Sequence, residues 1–87
     1  MGISALECFA ISMRLTKEAL ESKDADRVNE ILEEMYVNND GFEEDYSYGG
    51  LLSQRTVIDG RSVSLSDYND QCIDKIENHL GELESQN

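Results

Sequence analysis

One histidine, two cysteines and a scatter of serines are the residues best suited by type to chemistry, and their spacing forms none of the usual reactive arrangements. His79 has no second histidine and no cysteine at metal-ligand spacing, so it reads as a residue at the boundary of a helix. Nucleophilic catalysis needs a base set against a nucleophile and a third group that orients the base, which a lone His79 among dispersed serines does not supply. Cys8 and Cys72 are too few and too far apart for a disulfide framework or a Cys-x-x-Cys zinc site. Both fall at apolar positions of predicted helices and read as buried reduced thiols, the alternative being a disulfide that pins the first helix to the last.

Carboxylates are the other chemistry-bearing groups, and their abundance removes diagnostic value from any single pair. Asn38, Asp40 and Gly41 superficially match the middle of an EF-hand loop. With Gly41 in the sixth position, however, the first and twelfth would be Tyr36 and Ser47, where the loop needs carboxylates. Glu43, Glu44 and Asp45 then offer only diffuse cation attraction. Gly49 and Gly50 stand alone, with no Lys-Ser/Thr after them to make a phosphate loop. The expectation is a protein with no catalytic residue, no metal and no cofactor, which works by contact.

Eighty-seven residues suffice for one domain with one thin core. The 39% hydrophobic content is grouped periodically, which argues for folding despite a 30% charged content. Residues 3 to 21 predict a helix, because Leu6, Phe9, Met13, Thr16 and Leu20 follow the alternating spacing that stacks them on one face, widened by Ile3, Ala5 and Ala10. A second apolar row, Cys8, Ile11, Leu15 and Ala19, lies roughly opposite. It is expected either to be buried under the last helix and a hairpin or to form a dimer interface. Asp24 suits the N-cap of a second helix with Ala25, Val28, Ile31, Leu32 and Met35 as its buried stripe. That helix is expected to stop near Asn38 to Gly41, residues that favour turns, with Phe42 to Gly50 following as an ordered acidic and aromatic loop.

Thr56, Val57 and Ile58 lead into Asp59 and Gly60 with Val63 beyond, the pattern of a short β-hairpin that puts Thr56, Ile58, Val63 and Leu65 on one face. A last helix is expected over about residues 67 to 84, capped by Ser64 or Ser66, with Cys72, Ile73, Ile76, Leu80 and Leu83 on its apolar stripe. The fold class that results is mainly α: an antiparallel α-hairpin packed with a C-terminal helix, and a small β-hairpin inserted between helices two and three.

Nineteen acidic residues against seven basic ones give a formal charge of -12. Such a surface repels phosphates and argues against direct binding to DNA, RNA or an anionic membrane. Residues 1 to 10 carry Glu7 and no Lys or Arg, and no apolar run reaches the length of a signal core or a membrane span, so the expected location is the cytoplasm. From Val28 to Gln54 there is no Lys or Arg, while Glu30, Glu33, Glu34, Asp40, Glu43, Glu44 and Asp45 supply negative charge. Like charges at helical spacing cost stability, so an uninterrupted run is either a solvated face or a surface kept for a basic partner. Phe42, Tyr46 and Tyr48 lie within it as candidate anchors, and Asp26 extends it toward the start of the helix.

The expected partner-binding set is therefore Asp26, Glu30, Glu33, Glu34, Asp40, Phe42, Glu43, Glu44, Asp45, Tyr46 and Tyr48. The expected function is that of a small acidic inhibitor that blocks a basic, nucleic-acid-handling protein, in the manner of phage counter-defence proteins against restriction or CRISPR systems, or of nuclease-immunity proteins. Any nucleic-acid mimicry would be partial. Asp24 to Glu34 covers about 16 Å of helix with five carboxylates, against roughly nine phosphates on duplex DNA of that length. The alternative is a helical adaptor or chaperone-like subunit, dimeric through Cys8, Ile11, Leu15 and Ala19 or docking an amphipathic partner there.

Overall fold

The computed structural model describes residues 4–44 and 51–86, arranged as helix α1 (Ala5–Glu21), helix α2 (Ala25–Glu44), a single 3-10 turn (Leu51–Ser53), strands β1 (Arg55–Ile58) and β2 (Arg61–Ser64), and helix α3 (Leu65–Ser85). Helices α1 and α2 both pack on α3, and the two-stranded antiparallel hairpin sits between α2 and α3 in the chain.

Local chemistry explains most of the boundaries. Ser4 caps α1 by accepting from the Glu7 amide, and Glu7 completes the Ser-x-x-Glu spacing of a capping box. Asp24 accepts from the Asp26 amide with its side chain and from the Val28 amide with its carbonyl, which starts α2 after a three-residue link. Asp59 and Gly60 both adopt positive φ, 52° and 79°, the backbone of a two-residue type I′ hairpin turn. The turn sets the register that pairs Thr56 with Val63 and Ile58 with Arg61. Arg55 braces the hairpin by donating to the Ser62 hydroxyl and carbonyl, each at 3.0 Å. Ser64 accepts from the Asp67 amide, so α3 starts at Leu65, two residues before the position expected from its acidic first turn.

The main core lies where the three helices meet, with Leu15 and Ala19 of α1, Val28 and Ile31 of α2, and Ile73 and Ile76 of α3 among its buried residues. A smaller cluster, Cys8, Phe9 and Leu65, is covered by Ile58 and Val63 of the hairpin and by Leu52. Cys8 and Cys72 are both buried and are not joined in a disulfide. A hairpin of four-residue strands is marginal alone, and here its inner face is the lid of this second cluster.

Two expectations are corrected. The first concerns α1, whose buried face is Cys8, Phe9, Ser12, Leu15, Thr16 and Ala19, whereas Leu6 (70% exposed), Met13 (42%) and Leu20 (40%) point outward. The helix is rotated relative to the apolar stripe because two polar residues are satisfied inside the core. Ser12 donates its hydroxyl to Asn69 Oδ1 of α3, and Thr16 donates to the Ser12 carbonyl at 2.6 Å. Of the two expectations for the row Cys8, Ile11, Leu15 and Ala19, burial holds for Cys8 beside the hairpin cluster and for Leu15 and Ala19 against α3, while Ile11 is half-buried at the edge. The second concerns α2, which does not stop at Asn38 to Gly41 but continues to Glu44. Asn39 has its side-chain oxygen occupied by Asn69 Nδ2 at 2.9 Å, so it is held by α3 instead of competing for its own backbone.

Candidate functional site

The outward face of α2 is built by spacing alone. Asp26, Glu30, Glu33, Val37 and Asp40 recur at intervals of four and three and so stand in one row. All of them are exposed, and Glu34 is exposed beside the row. Val28, Ile31 and Met35 on the opposite face are buried and fix the helix in this orientation. The row is the part of the expected contact surface that the described residues bring together.

Its charge is barely offset. Among the described residues Arg27 is the only cation in an ion pair, donating to Glu30 Oε2 at 3.1 Å and through Nε to Glu18 Oε1 at 3.1 Å. Hydrogen bonds to Glu18 and then Glu30 raise the Arg27 pKa further above its already high ordinary value. The acidic surface also crosses onto α3. Tyr36 Oη lies 3.5 Å from Glu77 Oε1, and desolvation followed by the negative charges of Glu77 and Asp74 raises the phenol pKa. Tyr36 is 48% exposed, so it joins the carboxylates of two helices at a surface that solvent and partners can reach.

A cleft of about 570 Å³ opens between α1 and α2. Ile11, Leu15 and Val37 give it an apolar lining, and Glu30, Glu33 and Glu34 stand along the α2 wall. Arg14 faces them from α1. Two sets of residues singled out separately in the sequence therefore meet here: the acidic run of α2 and the Ile11 and Leu15 part of the second α1 row. Asp26 is not in this cleft, lining instead a smaller one with Asn29, Leu80 and Glu84. Asp40 is exposed further along α2.

Phe42, Glu43 and Glu44 belong to the last turn of α2 and not to a loop. Asp45, Tyr46 and Tyr48 lie outside the described residues, as does the remainder of the expected loop to Gly50. Val37, 69% exposed, and Tyr36 were not singled out by the sequence reading, although Val37 could have been found from its place in the row between Glu33 and Asp40. Arg14 carried no such signal, because its position opposite the acids depends on how α1 docks against α2.

The residues first considered for chemistry have structural employment. His79 Nε2 donates to the Ser22 carbonyl at 2.7 Å, tying α3 to the end of α1. Tyr68 packs against Phe9 with ring centroids 5.4 Å apart and the rings tilted by 48°, and burial together with the neighbouring Cys72 pushes its phenol up to about 12. Among the described residues no three His, Cys, Asp or Glu side chains converge as metal ligands, and no helix is long and apolar enough to cross a membrane. What the α2 face offers chemically is a set of hydrogen-bond acceptors at fixed spacing, suited to ammonium and guanidinium groups. No family model, curated protein or solved structure matches the chain.

Proposed function

We propose that this protein is a small acidic inhibitor that binds and blocks a basic, nucleic-acid-handling protein through the outward face of α2. The observation that carries the reading is the row of Asp26, Glu30, Glu33 and Asp40, exposed together on one helix with Glu34 beside it, and compensated only in part by Arg27 and by Arg14 across the cleft. Glu77 and Asp74, brought to Tyr36 by the packing of α3, support it by widening the negative surface beyond one helix. Charge of this kind accelerates encounter with a basic groove, and the exposed Tyr36 and Val37 supply contact area once the partner is engaged. Nucleic-acid mimicry in this reading is a matter of charge placement over two helices, at a density below that of duplex phosphates.

The test is a pull-down from the native host with partners quantified by mass spectrometry, comparing the natural chain with a Glu30→Lys, Glu33→Lys, Glu34→Lys triple variant. These side chains are exposed, so the variant keeps its helical circular dichroism and loses the basic partner, and capture by the natural chain falls as salt rises from 50 to 300 mM. Equal capture by both forms at both salt concentrations would falsify the reading. The outward row Leu6, Met13 and Leu20 favours a second reading, a helical adaptor that pairs through α1. Such pairing would appear in sedimentation as a dimer that Met13→Glu dissociates.

A further inference from the structure

We propose that the cleft between α1 and α2 receives an amphipathic, cationic helix of the partner, an inference that rests on the contact function proposed above and names the chemistry of the segment contacted. The cleft lies on the side of the α1–α2 hairpin turned away from α3. Phe9 and Ser12 turn toward α3, where they meet Tyr68 and Asn69, while Ile11 and Arg14 open onto the cleft. On α2, Tyr36 and Asn39 turn toward Glu77 and Asn69 of α3, while Glu30, Glu34 and Val37 open onto the cleft. An occupant laid between α1 and α2 would therefore be the fourth helix of a bundle.

The walls determine the conformation of the occupant. Both are α-helices whose backbone amides and carbonyls are bonded within the helix, so an extended segment would find no ladder partner there and would bury unpaired polar groups. A helix carries its own hydrogen bonds and can present two or three apolar residues at i, i+3 or i+4 spacing to Ile11, Leu15 and Val37. From Glu30 to Asn38 the wall is about 12 Å long, room for roughly two turns.

The charges determine its sign. Arg27 already engages Glu30 at 3.1 Å, which leaves Glu33 and Glu34 with Arg14 as the one cation lining the cleft, so the flank facing α2 carries Lys or Arg and the flank over Arg14 is neutral or acidic. A free anion or nucleic acid meets repulsion from three carboxylates. A purely polar cation leaves Val37 and Ile11 uncovered. A second copy of this chain would bring its own excess of acid to the same place.

The proposal is tested with the full chain and two synthetic probes: an 18-residue Leu/Lys peptide with leucines at helical spacing, and an oligolysine of the same charge. Binding is followed by calorimetry and by backbone amide shifts at low salt. The amphipathic peptide is expected to bind about tenfold tighter than oligolysine, the order of one buried aliphatic side chain. It should shift the amides of Ile11, Leu15 and Val37. Val37→Ser, at an exposed position, should weaken the amphipathic peptide several-fold and leave oligolysine unchanged. Equal binding of the two probes, both indifferent to Val37→Ser, would overturn the cleft while leaving the acidic-face reading intact. Shifts centred on Leu6, Met13 and Leu20 would overturn it in favour of the outer α1 stripe. Failure of both cationic probes to bind would count against both readings.

Discussion

Asn69 is the residue on which the packing of all three helices turns. Its side-chain oxygen accepts from Ser12 of α1 and its amide nitrogen donates to Asn39 of α2, so one buried amide on α3 bonds both neighbours. Each contact fixes an orientation that apolar packing alone would leave adjustable, because a leucine in place of Ser12 or Asn69 could slide and a paired hydroxyl cannot. No buried side-chain polar atom is left unpaired among the described residues, so removal of Asn69 strands groups that were satisfied. Leaving a buried donor or acceptor without a partner costs about 1 to 3 kcal/mol. Asn69→Leu is therefore expected to lower stability by about 2 to 3 kcal/mol, equivalent to ten degrees or more in the melting temperature of a domain this size. Asp70→Ala, at the exposed neighbouring position, should stay within about 0.5 kcal/mol. Urea melts of the two variants decide it, and a loss below 0.5 kcal/mol for Asn69→Leu would show that its two contacts do not set the packing.

At the scale of elements, the same network accounts for what could and could not be read in advance. The hairpin turn at Asp59 and Gly60, the Ser64 cap and the apolar stripes of α2 and α3 depend on neighbours in sequence, and all were legible there. In α1 the row of Cys8, Leu15 and Ala19 was visible, but not that it and Ser12 outrank Leu6, Met13 and Leu20, since counting apolar residues passes over Ser12, whose burial is supported by a residue 57 positions away. The end of α2 escaped for a similar reason: Asn39 is a turn former until Asn69 occupies it. In the candidate site the spacing of Glu30, Glu33 and Glu34 was visible, while the cleft that joins them to Ile11 and Leu15 required the docking of two helices. The rotation has a direct consequence. Leu15→Glu places a carboxylate in the three-helix core and is expected to unfold the domain, whereas Met13→Glu, two residues earlier on the same helix, should change stability by less than about 1 kcal/mol. Circular dichroism of both variants checks it. The opposite ranking would restore the Leu6, Met13 and Leu20 face as the core.

For the whole molecule, the charge that suits a basic partner works against the free fold, and salt separates the two effects by sign. Asp26 with Glu30, Glu30 with Glu33 and Glu30 with Glu34 are like-charged neighbours on α2, as are Asp67 with Asp70, Asp70 with Asp74 and Asp74 with Glu77 on α3. At a few tenths of a kcal/mol each, these pairs together oppose folding by about 2 kcal/mol. Arg27, shared between Glu18 and Glu30 at an exposed site, relieves only a small part of this. Screening shortens the reach of such charges from about 30 Å at 0.01 M to about 8 Å at 0.15 M, so sodium chloride over that range should stabilise the free protein by about 1 kcal/mol, several degrees in its melting temperature. The same addition should weaken capture of a basic partner, because attraction across the interface is screened along with repulsion inside the fold. A melting temperature that falls with salt would mean that favourable pairs outweigh the like-charged rows, and the α2 face would then lose the electrostatic excess on which its proposed contact depends.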